Sequence, residues 1–231
     1  MPSPFAIDFR AIKPIKFNFD GQGDEDQMNA ERDDARGDAG KGNAGQTFLS
    51  RVTRRRLLAV KRASEIVTVL PGPGETLHCL IVGYFDALNL LLAMLDKLAV
   101  PCRMMRLATL SFSKRNVAEL AGLLDAGTVK AVSLMTSDFQ KKHDGEIYAE
   151  AMLELAEKRG QKIAAARSHC KLFLMEMEDG RKYTWESSAN LRTSRNFEQC
   201  CLSQDAALHD FYTNWFDALM VKHGTQATAE E

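Results

Sequence analysis

His169-Cys-Lys-Leu-Phe-Leu-Met-Glu-Met-Glu-Asp-Gly-Arg-Lys-Tyr-Thr-Trp-Glu-Ser-Ser-Ala-Asn190 is the stretch on which the reading of this chain turns. Asp179-Gly180 stands between two strand-like runs. Asp-Gly suits the central positions of a type I′ turn, where both residues need positive φ. The expectation is a β-hairpin with a two-residue loop and Glu178 opposite Arg181. In that register Lys171 faces Ser188 and His169 faces Asn190. Strand parity puts His169 and Lys171 on one side of the sheet. Cross-strand neighbours on one face lie about 5 Å apart at Cβ. An imidazole, an ammonium, a hydroxyl and a carboxamide are thereby expected in one cluster. The opposite face pairs Cys170 with Ala189, Leu172 with Ser187 and Leu174 with Trp185, and is expected to pack against a helix.

These groups suit attack on a phosphorus centre. A neutral imidazole is a competent nucleophile near pH 7. Lys171 supplies fixed positive charge for phosphoryl oxygens, and Ser188 and Asn190 donate hydrogen bonds as negative charge builds on them. Nothing in the set resembles the carboxylate cluster of a hard-metal site, so no cofactor and no metal are expected.

Upstream the pattern alternates. Strands are expected at Leu77–Val82, Cys102–Leu110 and Val129–Thr136. Helices are expected at Asp86–Leu98, at Lys114–Leu124 with Val117, Leu120 and Leu124 on one face, and at Asp144–Arg159, closed by Gly160. A βαβαβα run implies a mixed, largely parallel sheet flanked by helices. Strands at Ile163–Met177, Arg181–Ser188 and Phe197–Leu202 follow. A last helix, Ala206–Met220, is expected to bury Leu208, Phe211, Trp215 and Leu219. Ser133, Thr136, Ser137 and Asp138 fall at a strand's carboxyl end, where ligands often bind. Small polar residues are common there, so they read as background.

The amino-terminal region is different in kind. Phe5, Ile7 and Phe9, then Ile15, Phe17 and Phe19, alternate as in an extended segment. Residues 20–41 hold eight acids against three bases and no aromatic residue. Such a stretch cannot bury enough apolar surface to order itself, so 1–46 reads as an extended arm on an acidic linker. The domain expected to follow, 47–222, begins with a helix over 47–66 rich in Arg51, Arg54, Arg55, Arg56, Lys61 and Arg62. That helix is either a solvated face or a phosphate-attracting patch. Residues 223–231 read as a polar tail.

Composition excludes several classes. The 231 residues carry a net charge of −1, so any electrostatic argument must be local. The odd count of five cysteines without a CxxC pair argues against a disulfide framework or a zinc site. Vicinal Cys200-Cys201 reads as one thiol on each face of a strand. The most apolar run, Leu88–Leu95, is too short to span a bilayer, and no signal peptide is evident. The expectation is a cytoplasmic protein.

His169-Cys-Lys171, Glu176, and Ser187-Ser188-Ala189-Asn190 resemble the H-x-K-x4-D-x6-G-S-x-N motif of the phospholipase D superfamily. The flank Asn190-Leu-Arg192 and Asn196-Phe-Glu198 is also similar to family sequences, and the α/β pattern extends the likeness over about 77–220. Glu176 stands where the family has Asp, and parity puts it on the face opposite His169. Ser187 replaces the motif glycine. The His169-to-Asn190 spacing is four residues longer than the family's, an even number that two residues on each strand absorb.

The resemblance implies a phosphodiesterase working through a phosphohistidine, with His169, Lys171, Ser188 and Asn190 catalytic and Glu176, Ser187 and Glu198 in support. Arg51, Arg54, Arg55, Arg56, Arg192 and Arg195 are the candidates for binding a polyanion. Only one H-x-K is present, where the family needs two. The resemblance therefore implies a homodimer whose two motifs meet at the two-fold axis. The basic segment favours nucleic acid as substrate, and no membrane-binding helix with exposed Trp or Phe is evident. The alternatives are a catalytically idle nucleic-acid-binding module of the same fold, supported by Ser187 and Glu176, and, more weakly, a lipid phosphodiesterase.

The linker's acids and the six bases of 51–62 attract each other at low salt, screened beyond about 8–10 Å at physiological ionic strength. The alternating Phe and Ile residues can add a strand to an open sheet edge of the same chain or of a partner. Deleting residues 1–46 is expected to tighten nucleic-acid binding at low salt, with the gain fading as salt rises. Identical binding curves would remove the competition, and unchanged melting and oligomeric state would remove the docking.

Overall fold

The computed structural model describes residues 63–81, 87–192 and 196–224. The amino-terminal arm, the acidic linker, Arg51, Arg54, Arg55, Arg56 and Arg195 lie outside the described residues. Of the helix expected over 47–66, only 63–66 is described, and it is helical.

The described residues form an α/β fold on one mixed sheet of seven strands in the order β1-β7-β6-β5-β2-β3-β4. The strands are β1 (Thr76–Ile81), β2 (Cys102–Ala108), β3 (Val132–Ser137), β4 (Lys162–Ala166), β5 (Leu172–Met177), β6 (Lys182–Ser187) and β7 (Glu198–Ser203). The helices are α1 (Ala87–Leu98), α2 (Lys114–Asp125), α3 (Asp138–His143), α4 (Gly145–Ala151) and α5 (Ala206–His223). A π-helical turn, Met152–Glu157, continues α4, with Lys158 N donating to Leu153 O at 3.1 Å.

Strands β2, β3 and β4 are parallel, and every other pairing is antiparallel. Strands β1, β2, β3, β4 and β6 therefore run one way and β5 and β7 the other. The first β-α-β unit departs from expectation, because β1 does not neighbour β2. It sits at the far edge against β7, where Cys79 faces Cys200.

Two layers cover the sheet. The larger core packs α1, α2 and α4 against Met105, Leu107, Phe173, Met175, Tyr183 and Trp185. The smaller packs α5 against Ala108, Met135, Ala164, Leu172 and Leu174. Helix α1 is buried almost all round, which accounts for its six leucines in twelve residues. Cys200 is buried in the larger core and Cys201 lies on the opposite face beside His78, with Sγ 3.0 Å from Nδ1. In α5 the buried residues are His209, Phe216 and Met220, and Phe211 is exposed. Of the expected stripe Trp215 and Leu219 pack half-buried against the smaller core, while its centre lies one residue on, about 100° around the helix; Asp205 caps the helix through Ala207 N and Leu208 N. The helix also runs through His223, into the expected tail.

The expected strand Ile163–Met177 is two strands. Strand β4 is the sheet edge beside β3, residues 167–171 leave it, and β5 enters between β2 and β6. The polar run Arg167-Ser168-His169-Cys170-Lys171 separates the two apolar segments.

The hairpin also differs from expectation. Glu176 pairs with Lys182 and Leu172 with Glu186, one residue out of the I′ register. Met177 N donates to Arg181 O at 2.9 Å and Gly180 N donates to Met177 O at 3.1 Å, which closes a three-residue loop. Only Gly180 is left-handed, at φ +85, so the loop is a type I turn with a glycine bulge. Asp179 keeps negative φ and instead accepts from Arg181 N and Arg181 Nε. A one-residue slip exchanges faces. Phe173 and Trp185 consequently face the larger core, while Leu172, Leu174, Thr184 and Glu186 face α5.

A Cβ at position 180 would meet nothing within 4 Å, so its cost is backbone strain alone. Gly180→Ala is expected to lower unfolding stability by about 1–2 kcal/mol, and Gly180→Asn by less. Denaturant titration of the two variants measures this; equal midpoints for Gly180→Ala and the parent would contradict the bulge.

Candidate active site

Strand polarity gathers the loops. The carboxyl ends of β2, β3, β4 and β6 and the amino ends of β5 and β7 lie at one end of the sheet. His169 and Lys171 are in the segment that leaves β4, and Ser188 and Asn190 follow β6. The four residues are therefore on loops and not on opposed strands, which corrects the expected facing of His169 with Asn190 and of Lys171 with Ser188. The ladder ends one step earlier, with Ser187 N donating to Lys171 O at 3.1 Å.

Lys171 Nζ lies 2.9 Å from His169 Nδ1 and 3.1 Å from His169 O. An ammonium has only donors, so Nδ1 accepts, and a neutral ring in this arrangement carries its proton on Nε2. His169 is exposed and Lys171 half-buried. Burial holds the Lys171 ammonium below the usual lysine range, and the Glu198 carboxylate opposes that shift.

Glu198, at the start of β7, accepts a hydrogen bond from Ser188 Oγ. Ser188 Oγ also accepts from Gln199 N at 3.0 Å, and Ser188 N donates to Gln199 O at 3.0 Å. Ser187, in the place of the motif glycine, uses its hydroxyl to accept from Ala189 N at 2.9 Å and to donate to Gln199 O at 3.3 Å. The serine thus builds the turn that carries Asn190.

Asn190 is anchored by its backbone. Its carbonyl accepts from Ala87 N at 3.2 Å, at the start of α1. Leu191 N donates to Thr109 Oγ1 at 3.2 Å, and Arg192 N donates to Ser111 O at 3.3 Å. The carboxamide Oδ1 is buried without a hydrogen-bond partner. That costs about 1–3 kcal/mol, which a donor bound there would relieve. Arg192 reaches Asp144 Oδ2 at 3.2 Å. Thr109 and Ser111 escaped the sequence reading. Thr109 acts through a buried hydroxyl just past β2 and Ser111 through its carbonyl, and the sequence distinguishes neither from other small polar residues.

Glu176 lies at the other end of β5, ion-paired to Arg103. It belongs to that strand end and does not join the His169 cluster. Thr136 and Ser137 are structural, with Ser137 Oγ donating to Leu110 O at 2.7 Å and accepting from Gln140 N at 3.0 Å. Among the described residues no three His, Cys, Asp or Glu side chains are grouped to hold a metal ion. A cavity of about 700 Å³ lies under α5, lined by Arg106, Ser133, Lys162, Asp217 and Met220 among others, and includes none of the His169 cluster. Among the described residues no helix is long and apolar enough to cross a membrane.

The chain is similar to several proteins of known structure. NucT from Helicobacter pylori is 15% identical, with a TM-score of 0.46 over 65% of this chain and 99% of that one. Nuc from Salmonella typhimurium, a phospholipase D family member, is 14% identical, with a TM-score of 0.46 over 65% of this chain and 97% of that one. TrmBL2, an archaeal chromatin protein with a novel mode of DNA binding, is 12% identical, with a TM-score of 0.47 over 86% of this chain and 63% of that one. No protein-family model matches the chain. No curated protein matches it.

Glu198→Gln keeps an acceptor for Ser188 but removes the charge that favours the Lys171 ammonium. Lys171 is then expected to lose its proton at lower pH than in the parent. The pH dependence of Lys171 acylation, read by peptide mass spectrometry, should shift to lower pH. An unmoved or raised midpoint would show that the carboxylate does not govern Lys171.

Proposed function

We propose that this chain is a metal-independent phosphodiesterase acting on nucleic acid, with His169 as nucleophile in a composite site at a homodimer interface. The observation that carries the reading is the pairing of Lys171 Nζ with His169 Nδ1 at 2.9 Å beside the Ser188–Glu198 hydrogen bond, on an open sheet end.

The roles follow from the proton's position. A ring whose Nδ1 accepts from Lys171 holds a single proton on Nε2; it acts as leaving-group acid only as the imidazolium, once Nδ1 has taken a second proton, and giving up the Nε2 proton then leaves it neutral. A ring whose Lys171 has moved to a phosphoryl oxygen is free to carry the proton on Nδ1, and its Nε2 lone pair attacks phosphorus. The P–N bond forms, the P–O bond to the leaving group breaks, and the departing oxygen takes the Nε2 proton of the partner subunit's His169. Water then attacks phosphorus, gives its proton back to that ring, and the P–N bond breaks. Lys171 offsets charge on the phosphoryl oxygens and Asn190 Nδ2 donates a hydrogen bond to them, the service a metal would otherwise render. Arg51, Arg54, Arg55, Arg56, Arg192 and Arg195 are proposed to hold flanking phosphates, Arg192 after leaving Asp144.

One observation favours the idle binding module. The Ser188 hydroxyl is already engaged by Glu198 and Gln199 N, so its proton is not free for a phosphate.

Hydrolysis of bis(p-nitrophenyl) phosphate in excess EDTA decides between them. Turnover is expected in the parent and a loss of at least about 10³-fold in His169→Ala, with mixed dimers holding one intact His169 also strongly impaired. Turnover that needs added Mg²⁺ or Zn²⁺, or that survives His169→Ala at the parent rate, would contradict the mechanism. An active monomer would contradict the composite site.

A further inference from the structure

Helix α3 does not belong to the motif, yet it stands at its mouth. Ser137, the residue before α3, pairs with Ala166, and His169 follows three residues later. Asp144, the residue after α3, holds Arg192 of the motif's flank at 3.2 Å. On this short helix Phe139 is 59% exposed. Its ring stacks on His143 with centroids 4.2 Å apart and planes tilted by 32°. Lys141 Nζ lies 5.2 Å over the Tyr148 ring, and Lys142 is exposed.

The platform is rigidly mounted. Gln140, fully buried, accepts from Phe112 N at 3.1 Å and donates to Phe112 O at 2.7 Å. Its carboxamide oxygen also accepts from Thr136 Oγ1 at 2.5 Å. Adjacent helical residues point about 100° apart, so anchoring Gln140 inward turns Phe139 outward. The local negative charges are few. Asp144 is paired with Arg192, and Glu150 with Lys114 at 3.4 Å, which leaves Asp138 and Glu146 opposite Lys141 and Lys142.

We propose that Phe139, backed by His143 and flanked by Lys141 and Lys142, is a base-stacking platform that admits single-stranded nucleic acid to the candidate site. This rests on the phosphodiesterase reading and names its substrate class. One face of the Phe139 ring is covered by His143, and the ring is otherwise exposed. A base can stack on it only after leaving its own stack, which a single strand does at little cost and a duplex does not. Lysines one helical turn or less away meet the phosphates on either side. Asp144, which follows α3, holds Arg192, two residues beyond Asn190, so a strand stacked on Phe139 has a second cation on the flank of the candidate site to follow.

Binding is measured on the full chain carrying His169→Ala, so that no cleavage competes. The probes are a labelled deoxythymidine oligomer of about a dozen nucleotides, an abasic oligomer of equal length, and a duplex of equal length. The single strand is expected to bind more tightly than either control, and Phe139→Ala to weaken it about tenfold. Phe139→Trp is expected to retain binding, with its added indole emission quenched by the oligomer. Lys142→Ala is expected to reduce the slope of log affinity against log salt by about 0.7. Unchanged binding in Phe139→Ala would overturn the proposal, as would preference for the duplex. Phe139-dependent binding of phosphatidylserine vesicles in place of the oligomer would also overturn it. Reporter hydrolysis by the unsubstituted chain reads the catalytic proposal separately. Phe139-dependent oligomer binding without turnover sinks catalysis and leaves the platform, and turnover without such binding does the reverse.

Discussion

The antiparallel seating of β5 between β2 and β6 is the pairing on which the rest of the structure depends. It places Phe173, Met175 and Met177 in the larger core and Leu172 and Leu174 under α5. Each such side chain is worth about 1.5–3 kcal/mol when fully buried. Alternate residues thus bind both layers to one strand. The same pairing forces the chain to turn back after β4, and residues 167–171 make that return. His169 and Lys171 are where they are because β5 must begin at Leu172 and run opposite to β4.

The site that results is held by backbone more than by side chains. Thr109, Ser111 and Ala87 fix the segment from Asn190 to Arg192, and Gln199 fixes Ser188. This leaves the imidazole and ammonium exposed or half-buried, with the Lys171–His169 contact as their mutual restraint. An ammonium beside an imidazole nitrogen fixes a proton position without a carboxylate on the ring. The Glu198 charge acts one step away, through Ser188 and on Lys171. The Ser187 hydroxyl caps the turn it lies in.

Much of the fold was legible because buried strands and amphipathic helices leave distinct periods. Strands β1, β2, β6 and β7 and helices α1 and α2 fall within a few residues of their expected bounds. What the sequence does not carry is the change of partner strand at 167–171, although the polar run Arg167-Ser-His-Cys-Lys171 marks the break itself. Nor does Asp179-Gly180 state its own loop length. The dipeptide serves a two-residue and a three-residue loop alike, and only the closing bonds of Met177 and Gly180 select the latter. The contact of His169 with Lys171 was legible from their spacing on one strand face. Their placement on loops was not, because it depends on where the ladder ends. Glu176 shows the limit of motif matching, since its arm is spent on Arg103 at the far end of the strand. Gln140 gives no local signal, because its partners at Phe112 are distant in sequence.

The central claim is that His169 attacks phosphorus. It is tested most directly by quenching the chain during turnover of a p-nitrophenyl nucleotide diester under alkaline conditions, which preserve a P–N bond, and mapping the adduct by mass spectrometry. The account predicts a nucleotidyl adduct on His169 that disappears in His169→Ala and decays when excess substrate is removed. Turnover with no adduct on any histidine, or an adduct seated on another residue, would contradict it.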